Sequence, residues 1–112
     1  MNIDLDSINF DANGLVPAIV QSAKDNRVLM LAYMNRESIE ASLQTRQTVF
    51  WSRSRNELWH KGATSSNLQD IVDISSDCDN DTLLVTVHEH GPACHTGSQS
   101  CFDGNGRGKD AQ

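Results

Sequence analysis

The chain has 112 residues, 38% of them hydrophobic, with 15 acidic against 9 basic side chains for a formal net charge of −6. That length supports one domain able to bury roughly 65% of its unfolded surface, so the core is modest and a second subunit or a metal would add stability. The longest apolar run, Val28 to Met34, is far short of the ~20 residues of a bilayer span, and the acid-bearing start MNIDLDSINF lacks the basic-then-apolar order of a signal peptide, so a soluble cytoplasmic protein is expected.

The negative charge argues against a general nucleic-acid surface, which needs cations to displace counterions from phosphate. Eleven of the 15 acids are aspartate, a residue drawn to turns, caps and hard-cation sites. Three cysteines, an odd number without an export signal, point away from disulfides and towards thiolate chemistry or metal binding.

Residues 1–102 read as the folded domain, and the glycine-rich polar stretch 103–112 as a flexible tail. GLVPAIVQSA and RVLMLAYM are apolar, β-rich runs separated by Lys24-Asp25-Asn26, which predicts a hairpin. Pro17 places its first strand near a sheet edge. Asn35 can cap a short helix running through Thr45, with Glu37 in the first turn and Ile39 and Leu43 as its buried stripe. Four further strands are predicted: TVFWSRS, ELWHK, Asp70 to Ser76 with Ile71 and Ile74 as its apolar members, and TLLVTVHE. The class is α+β, a mostly antiparallel sheet with one short helix. The last segment, HGPACHTGSQSCF, lacks apolar rhythm and reads as a loop that something must hold.

Asp77-Cys78-Asp79-Asn80-Asp81 is the densest chemical feature. If it is extended, its three carboxylates project to one side and Cys78 and Asn80 to the other. Carboxylates this close repel, a cost that an oxygen-preferring divalent cation removes; a solvated acidic turn is the alternative. An EF-hand loop is excluded, because Thr82 and His88 stand where its glycine and bidentate glutamate belong. Cys78, Cys94 and Cys101 could hold one zinc and leave an open water position, or could simply fill space. Neither spacing is that of a zinc finger, but Cys94 and Cys101 lie in a loop too polar to be core. Arg46, Arg53, Arg55 and Lys61 concentrate four of the nine bases in sixteen residues, interleaved with Ser52, Ser54, Thr64 and Ser65. Such a set suits phosphate recognition, or else decorates a solvated hairpin. Of the four histidines, His95 stands out because it adjoins a candidate ligand; His88 and His90 fall on one side of the last strand's end, and they and His60 suggest no role.

Together, YMN at 33–35, WSRSR at 51–55, WHKGATSS at 59–66, DCDND at 77–81 and GPACHTGSQSCF at 91–102 resemble the phosphoribosyl-AMP cyclohydrolase family of histidine biosynthesis, over about Gly14 to Phe102. The family pattern usually has glycine where Ser66 and Asn80 stand and glutamate at Ala63. The resemblance implies Cys78, Cys94 and Cys101 as zinc ligands and Asp77, Asp79 and Asp81 as magnesium ligands. It also implies an intertwined homodimer whose zinc sites take ligands from both chains, with opposite faces of one strand end serving the two metals.

The implied reaction is hydrolytic opening of the purine ring of phosphoribosyl-AMP at N1–C6. Zinc would activate the water and His95 would act as general acid/base. Arg53, Arg55, Lys61, Thr64 and Ser65 would bind substrate, with magnesium offsetting phosphate charge. Two rivals fail. A zinc-dependent nucleotide deaminase needs His-x-Glu and Pro-Cys-x-x-Cys, whereas Glu89 directly follows His88 and Cys94 and Cys101 are seven apart. A non-enzymatic zinc module leaves the triple aspartate unexplained and predicts a basic surface.

Overall fold

The computed structural model describes residues 3–94 and 97–102, so the predicted tail and His95 lie outside the described residues. After a short 3-10 turn over Leu5–Ser7 come β1 (Val16–Ser22), β2 (Val28–Met34), α1 (Arg36–Thr45), β3 (Val49–Ser52), β4 (Glu57–His60), β5 (Gln69–Ser76) and β6 (Leu83–Glu89). The strands form one sheet in the order β4-β3-β2-β1-β6-β5, antiparallel throughout except between β1 and β6. The class is α+β, and the sheet is mostly antiparallel.

The β1–β2 hairpin turns at Lys24-Asp25-Asn26 as predicted. There the Ser22 hydroxyl and the Asp25 carboxylate accept the backbone N–H groups of Lys24 and Arg27, and Asn26 reverses the chain at φ 61°. Asparagine adopts that left-handed conformation more readily than other side-chain-bearing residues. Pro17 does not mark an edge: β1 lies between β2 and β6. Its missing N–H is tolerated because Pro17 is the second residue of the strand and the ladder to β6 starts only at Ala18.

Helix α1 begins with a reciprocal cap in which Asn35 Oδ1 accepts the Ser38 N–H at 2.8 Å and Ser38 Oγ accepts the Asn35 N–H at 2.9 Å. Ile39 is fully buried and Leu43 packs at the core margin. Strand β5 explains the odd spacing of its two isoleucines. A register shift between Ile71 and Asp73 pushes Val72 outwards, 56% exposed, so Ile71 and Ile74 both face the core opposite Val87 and Val85.

The sheet curls back on itself. Residues just ahead of β3 pair with β5: the Thr48 N–H donates to the Gln69 carbonyl at 3.1 Å and the Ile71 N–H to the Arg46 carbonyl at 2.8 Å. At this seam Thr48 Oγ1 donates to Gln69 Oε1 at 3.0 Å, satisfying two buried polar side chains with one another. Inside sit Phe50, Leu29, Met34, Ile39, Ile74 and Leu83, all fully buried, each contributing about 1.5–3 kcal/mol of transfer free energy. Among the described residues no helix is long and apolar enough to cross a membrane.

Candidate metal and nucleotide site

Two loops meet at the end of the sheet where β1 finishes and β2 starts. The first follows β4: the Lys61 N–H donates to the Thr48 carbonyl at 3.0 Å, and Gly62 turns the chain at φ 84° so tightly that a Cβ there would strike the backbone of Asn67 and Leu68. Glycine is required on both counts. The second loop follows β6 and has the anchor that its polar composition demanded. The Cys101 N–H donates to the Leu29 carbonyl at 2.7 Å, and the Ser100 hydroxyl, on a buried residue, donates to the Val28 carbonyl at 2.8 Å. Nothing in the sequence distinguishes Ser100 from the other hydroxyl residues of that loop.

Between the loops lies a cavity of about 390 Å³ lined by Lys61, Thr64, Ser65, Cys94 and Cys101, with Trp59, Met30 and Asn67 in its walls. Five of the predicted site residues are therefore gathered in one place. Burial pushes the Lys61 ammonium pKa down, and the nearby Cys101 and Cys94 act in the opposite sense. The Cys101 thiol is pushed up by partial burial first and by Cys94 second, while Lys61 pulls it down. Two thiols that oppose each other's ionisation beside a buried cation suit a soft divalent ion, whose charge removes that opposition. Two thiolates do not complete a tetrahedral set.

Cys78 is elsewhere, exposed in the turn between β5 and β6. The segment around it is not extended, because the Asp77 N–H donates to the Thr82 carbonyl and the Asn80 N–H to the Asp77 carbonyl, with Asn80 at φ 61°. Asp77 Oδ1 also accepts the N–H groups of Asp81 and Thr82, so this carboxylate folds the turn from within. The predicted alternation of faces is thus replaced by a turn, yet the carboxylates still converge. Asp77, Asp79 and Asp81 present oxygens within 4.8 Å of one another, the only group of three or more His, Cys, Asp or Glu among the described residues able to share an ion.

The charge cost is visible. Hydrogen bonding to Asp81 and Asp77 raises the Asp79 pKa. For Asp77, slight desolvation works upward but is outweighed by the N–H of Asp81 and the neighbouring side-chain and backbone bonds, leaving it below the ordinary value. A hard cation with oxygen ligands fits this donor set.

Arg53 and Arg55 stand apart from the cysteine cavity. The Arg53 guanidinium lies 3.8 Å above the Tyr33 ring and borders a neighbouring cavity of about 490 Å³ that shares Trp59 with the first. Arg55 is exposed in the β3–β4 turn. The remaining histidines form a network that their sequence positions do not reveal. His60 Nε2 lies 2.9 Å from Gln47 Oε1, Gln47 Nε2 donates to Asp70 Oδ1 at 3.0 Å, and His90 Nε2 lies 2.6 Å from Asp70 Oδ2. The His88 and His90 rings meet edge to face, 5.3 Å apart. The hydrogen bond from His90, then that from Gln47, holds the Asp70 pKa below its usual value. The chain of contacts crosses the seam where the sheet closes, and only the fold brings its members together.

The sequence profile of the phosphoribosyl-AMP cyclohydrolase family matches residues 30–103, which include the whole cavity and the aspartate turn. The phosphoribosyl-AMP cyclohydrolase of Pelotomaculum thermopropionicum is 58% identical over 102 residues, covering 91% of this chain and 79% of that protein. The one from Lactiplantibacillus plantarum is 62% identical over 90 residues, 80% of this chain and 83% of that protein. The histidine biosynthesis bifunctional protein HisIE of Bacillus subtilis is 59% identical over 97 residues, and the match spans 46% of its length. With cavity, aspartate turn and profile match coinciding, the chain belongs to the phosphoribosyl-AMP cyclohydrolase family.

Proposed function

We propose that this protein hydrolyses the N1–C6 bond of 1-(5-phosphoribosyl)-AMP, opening the six-membered ring to the phosphoribosyl-formimino imidazole carboxamide ribotide, in the cytoplasm and as a homodimer. The observation that carries the reading is the pairing of Cys94 and Cys101 with Lys61, Thr64 and Ser65 around one cavity, in a chain of this family. Cys94 and Cys101 would hold zinc together with Cys78 from a second chain. Asp77, Asp79 and Asp81 would hold magnesium. When bound, zinc supplies the Lewis acidity that makes water a competent nucleophile at neutral pH.

The protein's own residues do the rest. N1 of the purine carries the ribosyl group, so C6 is electron-poor and open to addition, and the bond to N1 breaks only if N1 receives a proton. His95, next to Cys94 in sequence, is assigned that transfer, in a titration range suited to it. Among the described residues lining the cavity Lys61 is the only cation. Buried there, its ammonium faces the two thiols and meets an anionic group without the competition of bulk water. Thr64 and Ser65 offer hydroxyl donors, and Arg53 and Arg55, on the β3–β4 side, offer guanidinium forks to a second phosphate. Trp59, shared by both cavities, provides an apolar wall for the base.

Ultraviolet spectra recorded during incubation with phosphoribosyl-AMP, combined with an ammonia assay, test the reading. Ring opening changes the chromophore and releases no ammonia. Ammonia release would make the protein a deaminase, and an unchanged spectrum with bound nucleotide would make it a binding module.

A further inference from the structure

Cys94 and Cys101 sit at one end of β1 and Cys78 at the other. The Cys101 N–H donates to Leu29, between residues that pair with Gln21 and Val20. Cys78 lies in the turn that leads into Leu83, which pairs with Ala18. Seven residues of β1 at about 3.3 Å each set these ends roughly 20 Å apart. Between them, on the face of the sheet turned away from the core, Leu31, Ile19 and Leu84 stand directly opposite one another on β2, β1 and β6. Leu31 is 48% exposed and Leu84 36%. Strands β1 and β2 carry no charged side chain on either face, although the chain has a net charge of −6. Two copies so alike in charge repel wherever acids meet, and this charge-free face is where they can approach.

We propose that this face seats a second copy of the chain, with a twofold axis running along the Leu31–Ile19–Leu84 row. Rotation by 180° about that row lays each of the three residues over its own counterpart and reverses the strand direction. The Cys78 end of one chain then lies over the Cys94–Cys101 end of the other, at both ends of the dimer. The proposal rests on the shared-zinc reading above and adds to it the surface that brings the halves together. An axis parallel to the strands would stack like ends on like ends and leave both sites incomplete.

Ile19→Lys and Ile19→Glu, neither of which touches the cavity or the aspartate turn, test it by charge reversal. Each variant alone places like charges face to face on the axis, weakening self-association about 100-fold or more. Mixed in equal amounts, they should re-form a dimer by sedimentation, which also shows that both chains are folded, and regain ring-opening activity. Two dimeric single variants would overturn this face as the interface while leaving a shared site possible through another surface. An unaltered chain that is monomeric and active would overturn both. Single variants that are monomeric by sedimentation and folded by circular dichroism, but do not associate when mixed, would overturn the face-to-face axis. A mixed dimer that forms but has no activity would uphold the face and count against the shared site.

Discussion

Ser66 and Asn80, the two positions where the family pattern has glycine, both adopt the left-handed conformation, at φ 68° and 61°, and they should respond differently to glycine. A side-chain-bearing residue there costs roughly 1–2 kcal/mol, whereas glycine costs about 0.5–1 kcal/mol of added freedom in the unfolded chain. The exposed Ser66 hydroxyl makes no hydrogen bond among the described residues. Ser66→Gly should therefore stabilise by about 0.5–1 kcal/mol, raising Tm by roughly 2–6 °C for a domain of this size. Asn80 starts from less strain, being asparagine, and its Oδ1 accepts the Ser76 hydroxyl at 2.7 Å. Losing that bond removes about 1 kcal/mol and cancels the gain, so Asn80→Gly should be neutral or slightly destabilising. Thermal unfolding followed by circular dichroism at matched metal loading reads both. An unchanged or lowered Tm for Ser66→Gly, or an equal gain at both positions, would refute the reasoning.

Asn35→Ala removes one partner of the reciprocal cap and should cost about 1 kcal/mol in denaturant unfolding without changing zinc content. Asp79→Asn should lower activity steeply, with partial recovery at millimolar magnesium, since one carboxylate fewer weakens a hard-cation site without abolishing it. In the unaltered protein the Asp79 pKa lies above 3.8. A cation needs the carboxylate ionised, so magnesium affinity should be constant at neutral pH and fall as pH drops through that raised value; calorimetric titration against pH measures it. Cys78→Ala and Cys101→Ala proteins, each inactive, should recover about a quarter of normal activity when refolded together, because half the dimers are mixed and each mixed dimer holds one intact site of two. No recovery despite proven mixed dimers would place all three ligands in one chain.

Local signals in the sequence located all the strands and the helix, because each rests on short-range chemistry: the Asn35 cap, the alternation of β1 and β6, the turn at Asp25-Asn26. Position within the sheet was less legible. Pro17 suggested an edge, yet β6, more than 60 residues later, pairs with β1 from the next residue onward. The closing seam at Thr48 and Gln69 left no periodic trace. At the site, the convergence of Asp77, Asp79 and Asp81 was readable from spacing, but the turn producing it was not, since Asp77 builds that turn with its own side chain. Lys61 read as a surface cation and is instead buried beside two thiols, a placement set by its backbone bond to Thr48. The His60, Gln47, Asp70 and His90 network joins four separate stretches of chain and could be seen only in the folded protein.

The most direct test of the zinc-dependent ring-opening account is stepwise return of zinc to metal-stripped protein, with bound metal and ring-opening rate measured on the same samples. The rate should rise in proportion to bound zinc and level off at one zinc per chain, and Cys94→Ser protein should neither retain zinc nor turn over substrate. Full activity in stripped protein, or in zinc-free Cys94→Ser, would contradict it.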